Sequence, residues 1–201
     1  MTAASIEQIV AFIRETDRLK GITRKNKPLG QERFENSAEH SWQVALMAIS
    51  LAGFADPAVD LLRVVKMLLM HDIGEVDTGD TIVYAEGGWD ERKEAELRAI
   101  ERICSLMPEP QRSEFIDLWH DFETATSPEA RFAHALDRSI PALLNLARNG
   151  QSWVENGIGY EQVLARIGPP IRSGCPALWD YLEPRLAAAQ AQGWFGTKTT
   201  R

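Results

Sequence analysis

The sequence predicts a single all-α domain, and three observations carry that prediction. Apolar residues recur at three- and four-residue spacing in nearly every segment. Capping residues, glycines and prolines divide those segments at helix-length intervals. No alternating strand pattern persists, and no Asn-Gly turn joins two strand-like runs. At 201 residues, 44% hydrophobic and 25% charged, the chain is long enough to bury one core.

The elements follow in order. Ser5 can cap a first helix that carries Ile6, Ile9, Val10 and Ile13 and ends near Gly21. Residues 21–36 read as a loop, made basic by Arg24, Lys25, Lys27 and Arg33. Ser37 can cap a second helix, which runs through Val44, Leu46, Met47, Ile49 and Leu51 to Gly53. Asp56-Pro57 reads as the cap and first-turn proline of a third, ending at Met70 or His71. Residues 72–88 are turn-rich, with Gly74, Gly79, Gly87 and Gly88. A charged helix over about 89–106 is broken by Pro108 and Pro110. Helices follow over 110–124 and 128–148, the second holding Pro141 and closed by Asn149-Gly150. A short helix near 160–167 stops at Gly168-Pro169-Pro170, and a last one covers 176–191. The expected domain is 1–192, with 193–201 a mobile tail. Trp42, Met47 and Met67 are expected to fill the core.

The net charge of −7 argues against a general surface for nucleic-acid polymers. Two cysteines, Cys104 and Cys175, make no CxxC pair and no disulfide framework, so a reducing cytoplasm is the expected compartment. The first 20 residues interleave charges with apolar residues, unlike a signal peptide, and no window offers a membrane span.

The chemistry concentrates in "MHDIGEVDTGD", residues 70–80, where His71-Asp72 ends an apolar run and Glu75, Asp77 and Asp80 follow. Burying those charges costs several kcal/mol unless they are paired or bound to metal. His40 lies near the start of the second helix, and Asp137 lies on or beside the apolar stripe of Phe132, Leu136, Ile140 and Leu144. His40, His71, Asp72 and Asp137 together make a two-nitrogen, two-oxygen set from three helices. Such a set suits one divalent ion among Mn, Fe, Co, Ni and Zn, and on a six-coordinate ion it leaves room for water and a phosphate oxygen. Asp72 and Asp137 have simpler readings, as a turn cap and as an arginine partner. Asp77 and Thr78 read as turn chemistry, His120 as surface, and His134, one helical turn before Asp137, as a neighbour of that face.

The ordered set H…HD…D in an all-helical chain resembles the HD-domain metal-dependent phosphohydrolase superfamily. The segments "RFENSAEHSWQVALMA", "MLLMHDIGEVDTGD" and "LWHDFETATSPEARFAHALDR", over roughly residues 33–138, resemble the branch of the bacterial 5'-deoxynucleotidases and their eukaryotic relatives. The dipeptide alone is weak, since His120-Asp121 is a second copy. The E-x-x-T-G-D spacing from Glu75 to Asp80 is what makes the match specific.

The resemblance implies an HD-domain helical bundle with His40, His71, Asp72 and Asp137 as metal ligands, Mg joining the candidate ions. It implies a single metal, Glu75 as the acid that orients or deprotonates the attacking water, and Asp80 as an acid near the leaving group and sugar. Arg33, in the loop before His40, offers a bidentate fork for phosphate. The basic stretch 24–27 offers the same without singling out a residue, and Thr78 is carried as a substrate contact. The implied reaction is hydrolysis of a (deoxy)nucleoside 5'-monophosphate, a small-molecule substrate, by a homodimer. Two other readings stand beside it: an HD phosphohydrolase acting on a nucleoside triphosphate, cyclic nucleotide or phosphonate, and a catalytically silent nucleotide-sensing HD protein.

Overall fold

The computed structural model describes residues 3–85 and 87–197. Ten α-helices follow one another: α1 (Ala3–Thr16), α2 (Ser37–Ser50), α3 (Leu61–Met70), α4 (Glu75–Thr78), α5 (Trp89–Cys104), α6 (Gln111–Thr124), α7 (Pro128–Ala147), α8 (Gln151–Glu155), α9 (Tyr160–Gly174) and α10 (Pro176–Ala191). Two 3₁₀ turns, Asp17–Gly21 and Ala52–Phe54, complete the order. The extended pairing among the described residues is one isolated antiparallel bridge, Thr23 with Asn36. The all-α expectation holds.

Helix α7 is the central element. Its Phe132, Leu136, Ile140 and Leu144 are buried. They pack with Val163, Ile167 and Ile171 of α9, Val64, Met67 and Leu68 of α3, and Val44 and Ala48 of α2. A smaller cluster beneath α1 and α5 joins Phe12, Leu19, Met70, Ile73, Ile100 and Trp119. The backbones of α7 and α9 come very close: a Cβ on Gly174 would lie 2.0 Å from the Arg131 carbonyl oxygen. Only glycine allows that approach.

Several boundaries differ from expectation, each for a local reason. Asn36, not Ser37, caps α2. Its side chain accepts from Glu39 N at 2.9 Å while the Glu39 carboxylate accepts from Asn36 N at 3.1 Å. Asp60, not Asp56, caps α3, accepting from the amides of Leu62 and Arg63, and Asp56 closes a turn onto Ala58 N. Helix α9 does not stop at Gly168-Pro169-Pro170 but runs on to Gly174. The two prolines withhold N–H groups from the carbonyls of Ala165 and Arg166, and an interior proline costs about 3 kcal/mol. Ala165, Arg166 and Pro169 are exposed, so water can serve those carbonyls, while the opposite face stays buried on α7.

Met67 is buried and Met47 partly buried, but Trp42 is 63% exposed. It sits two residues from both His40 and Val44, which face the core, so it points outward. Residues expected to form the start of a free tail are packed: Phe195 is buried and stacks on Trp153 with ring centroids 4.4 Å apart, and Gly196 N donates to Ile158 O. The last four residues, 198–201, and the Ser5 cap position's neighbours Met1 and Thr2 lie outside the described residues. Ser5 itself is inside α1 rather than at its cap.

Candidate metal centre and phosphate pocket

Two helix termini and one helix middle bring the site together. His40 lies in the first turn of α2, His71 directly follows α3 with Asp72 next to it, and Asp137 lies midway along α7. His40 Nε2 is 2.9 Å from Asp137 Oδ1 and 4.0 Å from Asp72 Oδ2. His71 Nε2 is 3.1 Å from Asp72 Oδ1 and 3.6 Å from Asp137 Oδ1. His40, His71 and Asp137 are buried.

The outward atoms of both imidazoles are fixed. His40 Nδ1–H donates to Glu35 Oε1 at 3.1 Å, and His71 Nδ1–H donates to the Leu68 carbonyl at 2.8 Å. Each Nε2 lone pair therefore turns inward, onto carboxylate oxygens. Two acceptors at such distances repel unless a cation lies between them or the rings take up protons. His71 Nε2 is buried and has no hydrogen-bond partner among the described residues. Metal–ligand bonds of about 2.1 Å put ligand atoms about 3–4.2 Å apart, and the distances above fall in that range. The donors fit a metal ion: His40, His71 and Asp72 each offer a ligand atom within 4.8 Å of the others, and Asp137 Oδ1 lies beside both imidazoles.

Without the ion, the electrostatics show the same need for positive charge. Burial opposes a charged His71, but the neighbouring Asp72 overcomes it and raises His71 well above the usual histidine range. Burial likewise opposes charge on Asp137, yet Arg138 and the two imidazoles hold its carboxyl well below the ordinary value. Glu75 goes the other way: burial and the adjacent Asp72 raise it well above a normal glutamate. Burial also raises Asp80.

Arg24 is the guanidinium at the centre of these acids. Its Nη1 lies 2.8 Å from Asp72 Oδ2, 3.4 Å from Asp80 Oδ1 and 3.6 Å from Glu75 Oε1. Burial works against its charge, but Asp72, Asp80 and Glu75 more than offset that. A short ladder places it there: Arg24 N donates to Glu35 O, Glu35 N to Asn26 O, and Ser37 N to Ile22 O, each at 2.9–3.0 Å. The loop thus folds back so that Arg24 and Glu35 face the same cluster. It is tied down further along by Asn26 Nδ2 on the Pro141 carbonyl and by Arg148, which donates to Pro28 O and Glu32 Oε1. Gly79 adopts φ 73°, ψ 161°, a conformation open essentially to glycine alone, and turns the chain so that Asp80 comes back to Arg24.

The structure does not bring Arg33 into this cluster. Its fork is taken by Glu39 at 2.8 and 2.6 Å on the exposed rim of α2. Thr78 is exposed and donates to the Gly74 carbonyl, and Asp77 is gripped by Arg102. Glu75 is in the cluster, and its Oε2 accepts from Ser37 Oγ at 2.5 Å. His134 stacks on Phe122 and bonds the Phe122 carbonyl through Nε2, away from the ligand atoms. The second HD pair is structural: His120 is exposed and Asp121 pairs with Arg63 at 2.7 Å. Sequence reasoning missed Glu35 and Ser37 and did not select Arg24. The one available signal was the basic stretch 24–27.

The cluster opens into a cavity of about 500 Å³ between α5, α7 and α9, lined further out by Tyr84, Trp89, Trp153 and Arg166. Residues 16–179 match the family described as HD domain. The chain belongs to the HD domain family. This HD domain is similar over 96% of its length to a crystal structure described as a predicted metal-dependent phosphohydrolase from Magnetospirillum magnetotacticum MS-1, with 37% identity, 96% of that chain covered and a TM-score of 0.91. It is 30% identical over 131 residues to the Homo sapiens 5'-deoxynucleotidase HDDC2, spanning 65% of this chain and 63% of that protein. It is 27% identical over 143 residues to the Schizosaccharomyces pombe 5'-deoxynucleotidase hdd1, spanning 69% of this chain and 71% of the other. An HD-domain phosphohydrolase structure from Listeria innocua shares the fold at 16% identity, covering 90% of each chain with a TM-score of 0.68.

Two predictions follow from this geometry. Titration with Mn²⁺ followed by calorimetry will show one tight site per chain in the wild type and at least 100-fold weaker binding in Asp137→Ala; unchanged binding would remove Asp137 from the ligand set. Glu96, on the cavity wall, is raised to about 7 by burial, with Glu123 and Asp72 adding to it. Its folded-state affinity for a proton exceeds the unfolded one, so ionisation costs the folded chain stability as pH rises from about 4.5 to 7. In metal-free protein, Glu96→Gln will therefore gain about 1–2 kcal/mol at pH 8, allowing for solvent screening, and nothing at pH 4. Urea unfolding at the two pH values measures the difference.

Proposed function

We propose that this HD domain is a metal-dependent phosphomonoesterase that hydrolyses (deoxy)nucleoside 5'-monophosphates to nucleoside and phosphate. The observation that carries the reading is the meeting of two inward Nε2 atoms and two aspartates beside a buried guanidinium and a glutamate of raised proton affinity. The similarity to 5'-deoxynucleotidases, which reaches about two thirds of their length, supports the choice of substrate. We assign the activity to one domain, residues 1–192, with the packed segment up to 197 added to it.

A divalent ion held by His40, His71, Asp72 and Asp137 would supply Lewis-acid activation of the phosphoryl group. The chain's own groups do the rest. Arg24 offsets charge that develops on the phosphoryl oxygens, the task assigned from sequence to Arg33. Ser37 holds Glu75 by one oxygen, leaving Oε1 on the Arg24 side to orient a water and take its proton. The raised proton affinity of Glu75 makes it a stronger base than an ordinary carboxylate. Asp80, also raised, can give a proton to the departing sugar oxygen or bond a sugar hydroxyl. Glu35 keeps His40 in the correct tautomer.

We also propose that the chain works as a cytoplasmic homodimer. No helix among the described residues is long and apolar enough to cross a membrane. Trp42, Leu46, Ile49 and Phe54 are exposed on and just after α2, beside an apolar groove that Leu143 and Tyr181 also line. A patch of this kind marks an association surface. Light scattering will give twice the chain mass for the wild type and a shift toward monomer for Trp42→Glu with Phe54→Glu; a monomeric wild type would end the dimer reading.

For the activity, the Mn²⁺- or Co²⁺-loaded protein will release phosphate from deoxynucleoside 5'-monophosphates, and silence toward every nucleotide tested would reject the enzyme reading. Glu75→Gln will lower kcat by about 10²–10⁴-fold. Arg24→Ala will lower kcat/KM by about 100-fold or more, whereas Arg33→Ala will stay within about threefold of wild type.

A further inference from the structure

The cavity carries a second charged region, on the wall where α7 meets α9. Arg138 of α7 and Arg166 of α9 both line it. The nearest carboxylate to Arg138 is Asp137, at 3.6 Å, and Asp137 is already committed to the cluster of histidines. Arg166 makes no ion pair or hydrogen bond among the described residues. Its guanidinium lies over the ring of Trp89, 5.2 Å from the centroid. That ring is itself held by an indole N–H bond to the Ala85 carbonyl at 3.1 Å and by Arg92 on another side. Burial and the neighbouring charge of Arg138 both work against the proton on Arg166.

A third donor sits beside them. Tyr84 lines the same cavity, and its phenol hydroxyl can donate. Burial pushes Tyr84 up to about 12, so it keeps its proton, and that proton is free to be donated. All three side chains line the one cavity, and Arg138 and Arg166 both act to lower the Tyr84 value against that burial.

Two like charges with few partners, on helices locked by the Gly174 approach, repel each other unless an anion lies between them. Guanidinium forks and a phenol hydroxyl are well matched to phosphoryl oxygens. We infer that Arg138, Arg166 and Tyr84 form a second anion subsite, which takes a phosphoryl group carried by the substrate in addition to the one being cleaved. The inference rests on the phosphohydrolase reading for which end of the ligand meets the metal centre. It widens the substrate class from simple monophosphates to nucleotides bearing two phosphoryl groups. The second group can stand on another sugar hydroxyl, as in a nucleoside 3',5'-bisphosphate, or extend the chain, as in a 5'-diphosphate.

Calorimetry on the full chain tests this, with EDTA present to stop turnover, using deoxyadenosine 5'-monophosphate, its 3',5'-bisphosphate and the 5'-diphosphate as ligands. At least one doubly phosphorylated nucleotide is expected to bind tenfold or more tightly than the monophosphate. Arg166→Ala and Tyr84→Phe should each cut that ratio to below about threefold, and Arg166→Lys should restore part of it. Circular dichroism checks that the variants fold. A ratio near one in the wild type, or a ratio that survives Arg166→Ala combined with Arg138→Ala, overturns the subsite. Phosphate release from the monophosphate by metal-loaded wild type is measured separately: its absence alongside an intact ratio would reject the activity and leave the subsite standing.

Discussion

Two aspartates, Asp72 and Asp137, converge on a pair of inward-facing imidazole nitrogens inside a helical core, and the rest of the structure answers to that constraint. An ionised carboxylate in a low-dielectric interior is costly until a cation meets it. Three helices deliver the four side chains, and each outward imidazole nitrogen is anchored so the inward one has a single direction. Helix α7 takes the central place in the core because Asp137 lies midway along it, flanked by buried Leu136 and Ile140. The apolar packing of α2, α3 and α7 thereby fixes how these side chains face one another, which loops alone would not hold.

The charge balance extends outward in order. Arg24 meets Asp72, Glu75 and Asp80 at once, and the hydrogen-bonded ladder of residues 22–37 lets a loop residue do so with little freedom left to lose. The same crowding separates the acids by task. Asp72 and Asp137 are held ionised by cationic neighbours, while Glu75 and Asp80 are pushed toward the protonated state by burial and by the charge of Asp72. Acids with opposite leanings a few ångströms apart are what a site needs to bind a metal and move protons at one pH. Further from the centre, Arg138 and Arg166 bring positive charge to the cavity wall, with Glu96 and Glu123 also lining it.

Much of this was legible along the chain. The helical spacing of apolar residues marked α2, α5, α6, α7 and α10 closely, because amphipathic periodicity is a local property. The set His40, His71, Asp72 and Asp137 was legible as well, since those residue types in that order have few other uses. The failures have a common cause. Arg33 and Arg24 are equivalent as sequence, two arginines in one basic loop, and only the fold-back of that loop decides that Glu39 takes the first and the acid cluster the second. Glu35 and Ser37 looked like an ordinary acid and an ordinary cap. Pro169-Pro170 looked like a stop, because a local rule cannot see that the opposite face of α9 is buried against α7.

By itself, then, the sequence determined the helical class, the order of the main helices and the residue types of the histidine–aspartate cluster. Those follow from periodicity, capping and donor chemistry, all carried within a few residues or by composition. Tertiary structure alone decided which arginine faces the acids, which oxygen of Glu75 is tied and which is free, how Glu35 aims His40, and that Arg138, Arg166 and Tyr84 share one wall. The contacts around the acids depend on groups up to about a hundred residues apart meeting within 4 Å. Electrostatics at that range is set by positions in space, and a linear sequence does not contain them.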